Sequence, residues 1–406
     1  MGRQVPWKKI VGLVLAGSLV VAACGDDDTA SAEGFKFGMI LVGPQNDQGW
    51  SQAHYEAGLY VVEQLGLPAD AMIVLDKVNT ADRPETSIES VVDDMIANGA
   101  QMIFATSDDM KDGIEAAAAQ HPDVPMIWSS GDSAWAEGKA YRADLTNLGN
   151  IMGRMEYSKM MAGCAAALTT QTGKIAYLGP LINDETRRLV NSAYLGARYC
   201  WETYREQDPS ALGFEVKWIG FWFHIPGFTL DPTQVTNEFL AGGADVVISG
   251  IDTTEGIVRI GQAAAAGESV WAVPYDFKNA CAAAPDACLG VPYFNWGPSY
   301  LDAARSVIND RFEVGWLWAG PDWDNINNPD TSAVGWVSGD GLSADASANL
   351  DDFIAGLGSG DIALYVGPLN WQDGSAFLAA GEVATDYQIW YAEHLLDGIV
   401  GASAAG

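Results

Sequence analysis

Between Gly43 and Ser51 the chain reads Gly-Pro-Gln-Asn-Asp-Gln-Gly-Trp-Ser. This turn-rich loop delivers a carboxylate, an amide and an indole to the start of a helical pattern. Asp47 has two readings, an acceptor for a ligand or the cap of the following helix, and Trp50 has two as well, a ligand contact or a core residue. Other polar and aromatic groups also follow apolar runs. Ser107, Asp108 and Asp109 follow Ala100–Thr106, and Trp222 and Phe223 follow Phe214–Gly220. Asp252 and Thr253 follow Val246–Ser249, and Asp276 follows Val270–Tyr275. Ligands of open parallel sheets bind beyond the carboxyl ends of the strands, so these loops are where chemistry belongs.

Several chemistries are absent. There is no Gly-x-Ser-x-Gly elbow, His-Glu-x-x-His helix, Cys-x-x-Cys or Cys/His cluster, and the four histidines are scattered. His224 is the titratable group of the long Gly220–Pro232 loop and reads as a solvated histidine. Asp322-Trp323-Asp324-Asn325 resembles the start of a calcium loop but lacks its glycine and distal glutamate, and reads as a turn held by Asx contacts. No catalytic residue, metal or cofactor is expected. The competing enzymatic reading is a nucleoside hydrolase using Asp47, Asp108 and Asp252, for which the clustered aspartates of a metal motif are missing. Tryptophans with carboxylates also suit a cation–π cage for a quaternary ammonium compound.

The elements that position these groups alternate. Strands are expected at Lys36–Val42, Ala71–Val78, Ala100–Thr106, Val124–Ser129 and Ala140–Leu145, with helices at Gln52–Gly66, Ser87–Gly99 and Lys111–Gln120. A second α/β pass starts after Asn150, with helices at Gly153–Thr169, Glu185–Gln207, Thr233–Ala241 and Glu255–Ala266. Its strands fall at Lys174–Leu178, Phe214–Gly220 and Asp245–Ser249. Two passes of this kind predict parallel sheets covered by helices, as two doubly wound lobes. The expected division is 35–146 plus 277–312 for the first lobe, and 147–276 plus 313–406 for the second with a wrap-around tail. Crossings are expected near Thr146–Gly149 and Tyr275–Lys278.

The N-terminus carries Arg3, Lys8 and Lys9, then an uncharged run from Ile10 to Ala23 ending Val-Ala-Ala before Cys24. This is the pattern of a signal peptide over residues 1–23 with lipid attachment at Cys24. The run is too short to span a hydrocarbon core, which takes about 20 residues. Residues 24–34, with four carboxylates and no apolar residue larger than alanine beyond Cys24, read as a flexible acidic tether. The 406-residue chain has a formal net charge of −32, and removing the leader takes away only positive charge, so nucleic acid is excluded as a partner. Four further cysteines, an even number in an exported chain, permit disulfides. Cys281 and Cys288 enclose a loop-like segment and are expected to pair. Cys164 and Cys200 lie on two predicted helices and either pair or pack as small apolar groups.

The segment Gly43–Gly58, Gly-Pro-x-x-Asp-x-Gly-Trp followed by His54, Glu56 and Gly58, resembles the first loop of the basic membrane protein family of ABC-transporter binding lipoproteins. It looks most like a tryptophan-bearing branch whose relatives bind purines or nucleosides. The likeness continues through Ile103–Ser107, Lys217-Trp218, Trp222-Phe223, Tyr293–Pro298, Val366–Leu369, Asp373-Gly374 and Asp397–Gly401. It implies a type I periplasmic-binding-protein fold, two lobes joined by three crossings around a ligand cleft. By the same resemblance Trp50 stacks on a base, Trp222 or Phe223 opposes it, and Asp47 accepts from a ring or exocyclic N–H. Ser107, Asp108, Asp109, Asp252, Thr253, Asp276 and Trp296 complete the implied site. The first loop departs from the Asp-x-Ser-Phe-Asn of many nucleoside-binding relatives and lacks that asparagine, which leaves room for a shorter ligand. The absence of an Arg/Lys cluster or a Gly-rich phosphate loop predicts rejection of nucleotides. Implied partners are an ABC permease with its ATPase and the membrane holding the lipid, with the protein itself a monomer. A surface receptor on the same anchor and scaffold is the other reading.

Overall fold

The computed structural model describes residues 32–404. The expected signal peptide, Cys24 and most of the acidic tether lie outside the described residues. From Phe37 strand and helix alternate: β1 (Phe37–Ile40), α1 (Trp50–Gln64), β2 (Met72–Leu75), α2 (Ile88–Ala97), β3 (Met102–Ala105), α3 (Lys111–Gln120), β4 (Met126–Ser129) and β5 (Leu148–Gly153). The second pass runs through α4 (Met155–Thr169), β6 (Lys174–Gly179), α5 (Asp184–Thr203), β7 (Gly213–Trp218), α6 (Pro232–Ala241), β8 (Val246–Ser249), α7 (Glu255–Ala265) and β9 (Trp271–Val273). After it come β10 (Gly290–Phe294), α8 (Gly297–Ile308), β11 (Trp316–Ala319), β12 (Val334–Ser338) and α9 (Ala344–Ser359). The chain closes with β13 (Leu369–Asn370), β14 (Ala376–Leu378), α10 (Asp386–Trp390) and β15 (Ile399–Val400).

Two sheets form the lobes. The first has the order β11-β5-β4-β3-β1-β2 and the second β15-β7-β6-β8-β9, and every pairing in both is parallel. Strands β1, β3, β4 and β8 are buried at every position, as expected of strands covered by helices on both faces. The chain passes from one sheet to the other three times, after β5, after β9 and after β11. Strands β10 and β12 pair antiparallel along two of these passages.

Two expectations need correction. Ala140–Leu145 is not a strand: it is a turn in which Arg142 bonds Asp144 and Glu115, and this polar pairing holds it at the surface. The next apolar run, β5, takes the place beside β4 instead. The expected lobe boundaries at residues 147 and 313 therefore fall ahead of two strands, β5 and β11, that belong to the first sheet.

The second lobe is organised by α4 and α5. A methyl group on Gly163 of α4 would lie 1.8 Å from the Ala193 carbonyl oxygen, and one on Gly196 of α5 would lie 2.0 Å from that of Met160. The helices therefore meet backbone to backbone, which only glycine at both points permits. Cys164 and Cys200 bond across the same contact, and Cys281 bonds Cys288 in the loop before β10. Along the same pair of helices Arg188 Nε donates to Glu156 Oε1 at 2.6 Å, with both side chains almost fully buried. Arg188→Leu strands the Glu156 carboxylate without its counter-ion. It is expected to cost about 3–5 kcal/mol, while adding Glu156→Leu recovers most of the loss, as measured by chemical denaturation.

Candidate functional site

The carboxyl ends of the two sheets face a common, narrow cavity. The first lobe contributes Trp50 after β1, Ser107 and Asp108 after β3, and Ser130 after β4. The second contributes Tyr177 and Pro180 around the end of β6, then Glu185, Thr186 and Leu189 from the first turns of α5. Trp222 follows β7, Gly250 and Asp252 follow β8, and Tyr275 follows β9. No lysine or arginine lines the cavity.

Trp50 is held from behind. Its Nε1 donates to the Thr106 carbonyl at 2.6 Å, and its ring meets His54, Phe294 and Trp296 edge to face at 4.7, 5.2 and 5.3 Å. His54 is itself fixed by Tyr300, whose hydroxyl lies 2.7 Å from Nδ1. The indole is thus locked in one orientation before any ligand arrives, and preorganisation of this kind lowers the entropy lost on binding.

The carboxylates are the second feature. Asp108, Glu185 and Asp252 line one cavity from three different loops. Burial pushes the Asp108 and Asp252 carboxyls upward and takes Glu185 up to about 7, with neighbouring acids adding to the shift of Asp252 and Glu185. Asp108 accepts one bond, from Asn183 Nδ2 of the other lobe at 3.4 Å, while the Asn183 Oδ1 caps α5 by accepting from Thr186. Behind Tyr275 lies Lys159, fully buried, with Nζ 3.3 Å from the centre of that ring and donating to the Ser249 carbonyl at 2.7 Å. Burial drives its pKa well down, against the pull of Asp276 and Glu185.

Of the residues singled out in the sequence, Trp50, Ser107, Asp108, Trp222 and Asp252 come together in the cavity. The others do not. Asp47 accepts from the Gly49, Ser51 and Gln52 N–H groups at 2.9, 3.0 and 2.9 Å, so its carboxylate caps α1. Thr253 shares with Asp47 a separate groove at the mouth of the cleft. Trp296 stacks on Phe294 and His54 in the layer behind Trp50. Phe223 packs edge-on against Phe221, and Asp276 is buried beside Lys159 and Tyr275, away from the cavity surface. Asp109 is the immediate neighbour of Asp108; burial, then Asp108, lifts its carboxyl to about 6, with the Trp222 indole pulling the other way. Sequence reasoning missed Ser130, Tyr177, Glu185 and Tyr275. Ser130, Tyr177 and Tyr275 were within reach of the strand-end rule, since each stands at or just after a run recognised as a strand, whereas Glu185 opens a predicted helix well beyond the preceding strand.

The lobes touch on backbone beside the cavity. A methyl group on Gly49 would lie 1.6 Å from the Asp252 carbonyl oxygen. The Asp252 N–H in turn donates to the Trp222 carbonyl at 2.9 Å. Gly49 and Asp252 belong to opposite lobes, and each stands next to or within the set of cavity residues, so the contact bridges the two lobes beside the cavity.

Residues 35–205 match the Bmp family, described as PnrA-like ABC transporter substrate-binding proteins. The chain is 26% identical over 362 residues to a purine-binding protein of Brucella abortus, across 87% of this chain and 89% of that one. Among solved structures it resembles an ABC transporter solute-binding protein of Conexibacter woesei, at 18% identity and a TM-score of 0.57 over 82% of this chain and 98% of that one. It also resembles one from Aeropyrum pernix, at 13% identity and a TM-score of 0.62 over 83% and 93%. The fold is that of type I periplasmic binding proteins. Among the described residues no helix is long and apolar enough to cross a membrane.

If the two lobes close around a ligand, the Gly49 contact makes a sharp prediction. Gly49 has a backbone φ of −147° and ψ of −135°, outside the broad β region, so Gly49→Ala is expected to fold with a somewhat lower melting temperature. Its lobes should fail to close: ligand no longer contracts the protein in small-angle scattering, and affinity falls at least about tenfold, a loss of about 1.4 kcal/mol.

Proposed function

We propose that the protein captures a purine base or nucleoside between its two lobes and delivers it to an ABC permease driven by its ATPase. The observation that carries this reading is the pairing of Trp50 and Trp222, one from each lobe, in a single cavity with three carboxylates and no cationic side chain. A flat neutral heterocycle buried against indole faces gains apolar contact and about 0.5–1.5 kcal/mol of stacking per aromatic pair. Its N–H groups find acceptors in Asp108, Glu185 and Asp252, and hydrogen bonds to charged groups contribute about 1.5–3 kcal/mol each. The acidic lining repels phosphate. The purine-binding relative from Brucella abortus supports the same ligand class.

A quaternary ammonium ligand is the second reading, favoured by the four aromatic side chains Trp50, Tyr177, Trp222 and Tyr275 around the same carboxylates. It is weaker because Lys159 Nζ already covers one face of the Tyr275 ring. In the full reading, Cys24 bears the lipid and the acidic tether keeps the binding protein at high local concentration around its permease. Intact mass measurement of the membrane-extracted protein should give a chain that begins at Cys24 with acyl groups attached; an unmodified N-terminus overturns the anchor.

Calorimetric titration with adenine, guanosine, adenosine monophosphate and choline tests the ligand. Binding of a purine base or nucleoside is expected, with no binding of the phosphorylated compound, and Trp50→Ala should weaken the interaction by about tenfold. Heat from choline alone would replace this reading with the second.

A further inference from the structure

Two cavity residues combine features that neither the fold nor the stacking pair accounts for. Ser130 has a φ of +80°, in the region that glycine enters freely and other residues enter at a cost. It is 8% exposed, lines the cavity, and its hydroxyl has no hydrogen-bond partner. Its neighbours are different: Ser129 Oγ pairs with the Tyr300 hydroxyl and Ser133 Oγ with Asn150. The second residue, Glu185, is 9% exposed and lines the same cavity from the first turn of α5. No protein donor reaches its carboxylate among the described residues. Buried polar groups are normally paired, and strained backbone at a cavity wall marks a functional constraint.

We propose that Ser130 and Glu185 are specificity-determining ligand contacts that read the polar edge of the molecule whose faces Trp50 and Trp222 hold. Glu185 accepts from a ring or exocyclic N–H, and the Ser130 hydroxyl bonds an adjacent acceptor or donor. The two residues come from opposite lobes, Ser130 behind β4 and Glu185 ahead of α5, so a ligand that satisfies both also bridges the cleft. This account rests on the purine reading and deepens it. It explains why a serine stands where glycine would be free of strain: the hydroxyl is what the position supplies.

Three variants test it by calorimetry with adenine and guanosine and by thermal melting without ligand. Ser130→Gly removes the hydroxyl and relieves the backbone, so the ligand-free protein should melt a few degrees higher while Kd rises about three- to tenfold. Ser130→Ala removes the hydroxyl and keeps the strain, so Kd should rise by a similar factor without the gain in melting temperature. Glu185→Gln keeps the shape and loses the charge, and Kd should rise about tenfold or more. A purely structural serine would lower stability in both Ser130 variants and leave Kd unchanged. Purine binding by the wild type with the same Kd in all three variants overturns the proposal and leaves the purine reading standing. A wild type that binds neither compound overturns the purine reading and this proposal with it.

Discussion

The second lobe depends on how closely α4 and α5 approach. Glycines at 163 and 196 let the two backbones touch, and no side chain larger than hydrogen fits at either point. The consequence reaches the site, because the first turns of α5 supply Glu185, Thr186 and Leu189 to the cavity, and α4 supplies the buried Lys159 behind Tyr275. Shifting either helix outward would move the wall of the cavity and part the Arg188–Glu156 pair at once. The Cys164–Cys200 bond ties the same crossing covalently, which constrains the unfolded chain as well as the folded one.

Against that rigid wall the cavity itself is electrostatically uncomfortable. Asp108, Glu185 and Asp252 are brought out of water with few donors to receive them, and burial raises all three carboxyls. A neutral ligand rich in N–H groups relieves this arrangement, whereas an anion worsens it. Under the proposed purine reading, discrimination against phosphorylated compounds needs no dedicated steric block. The closure contact between Gly49 and Asp252 is placed where it senses the outcome, next to Trp50 on one side and within the Asp252 loop on the other. Under the proposed reading, binding energy gathered by the indoles and carboxylates is available to hold the lobes together, which is how differential affinity drives a hinge.

Aromatic side chains are layered around this centre. Trp50 touches ligand space, while Phe294, Trp296 and His54 form a shell that orients it, and Tyr300 fixes His54 in turn. A second aromatic group, with Trp135 stacked between Trp316 and Tyr391 at ring distances of 4.1 and 5.7 Å, joins a first-lobe loop and β11 to the region around α10. The chain's final segment therefore does more than wrap the outside. Through β15 it also completes the second sheet.

The sequence by itself determined the alternating α/β passes, the crowding of polar and aromatic residues at strand ends, the signal and lipid pattern and the acidic charge. These are properties of local composition and period, and they survive without knowledge of contacts. Trp50, Trp222 and Asp252 were legible as candidates for the same reason. Only the tertiary structure decided which strand-end residues share one cavity. Asp47 looks like a ligand carboxylate in a linear reading, yet the fold gives it three N–H donors at the start of α1 and makes it a helix cap. Glu185 looks like an ordinary helix-start acid until the approach of α4 and α5 and the closure of the other lobe enclose it. The fate of a polar side chain depends on which donors the fold brings within 3 Å of it, and that is set by packing between segments far apart in the chain, a quantity absent from sequence spacing.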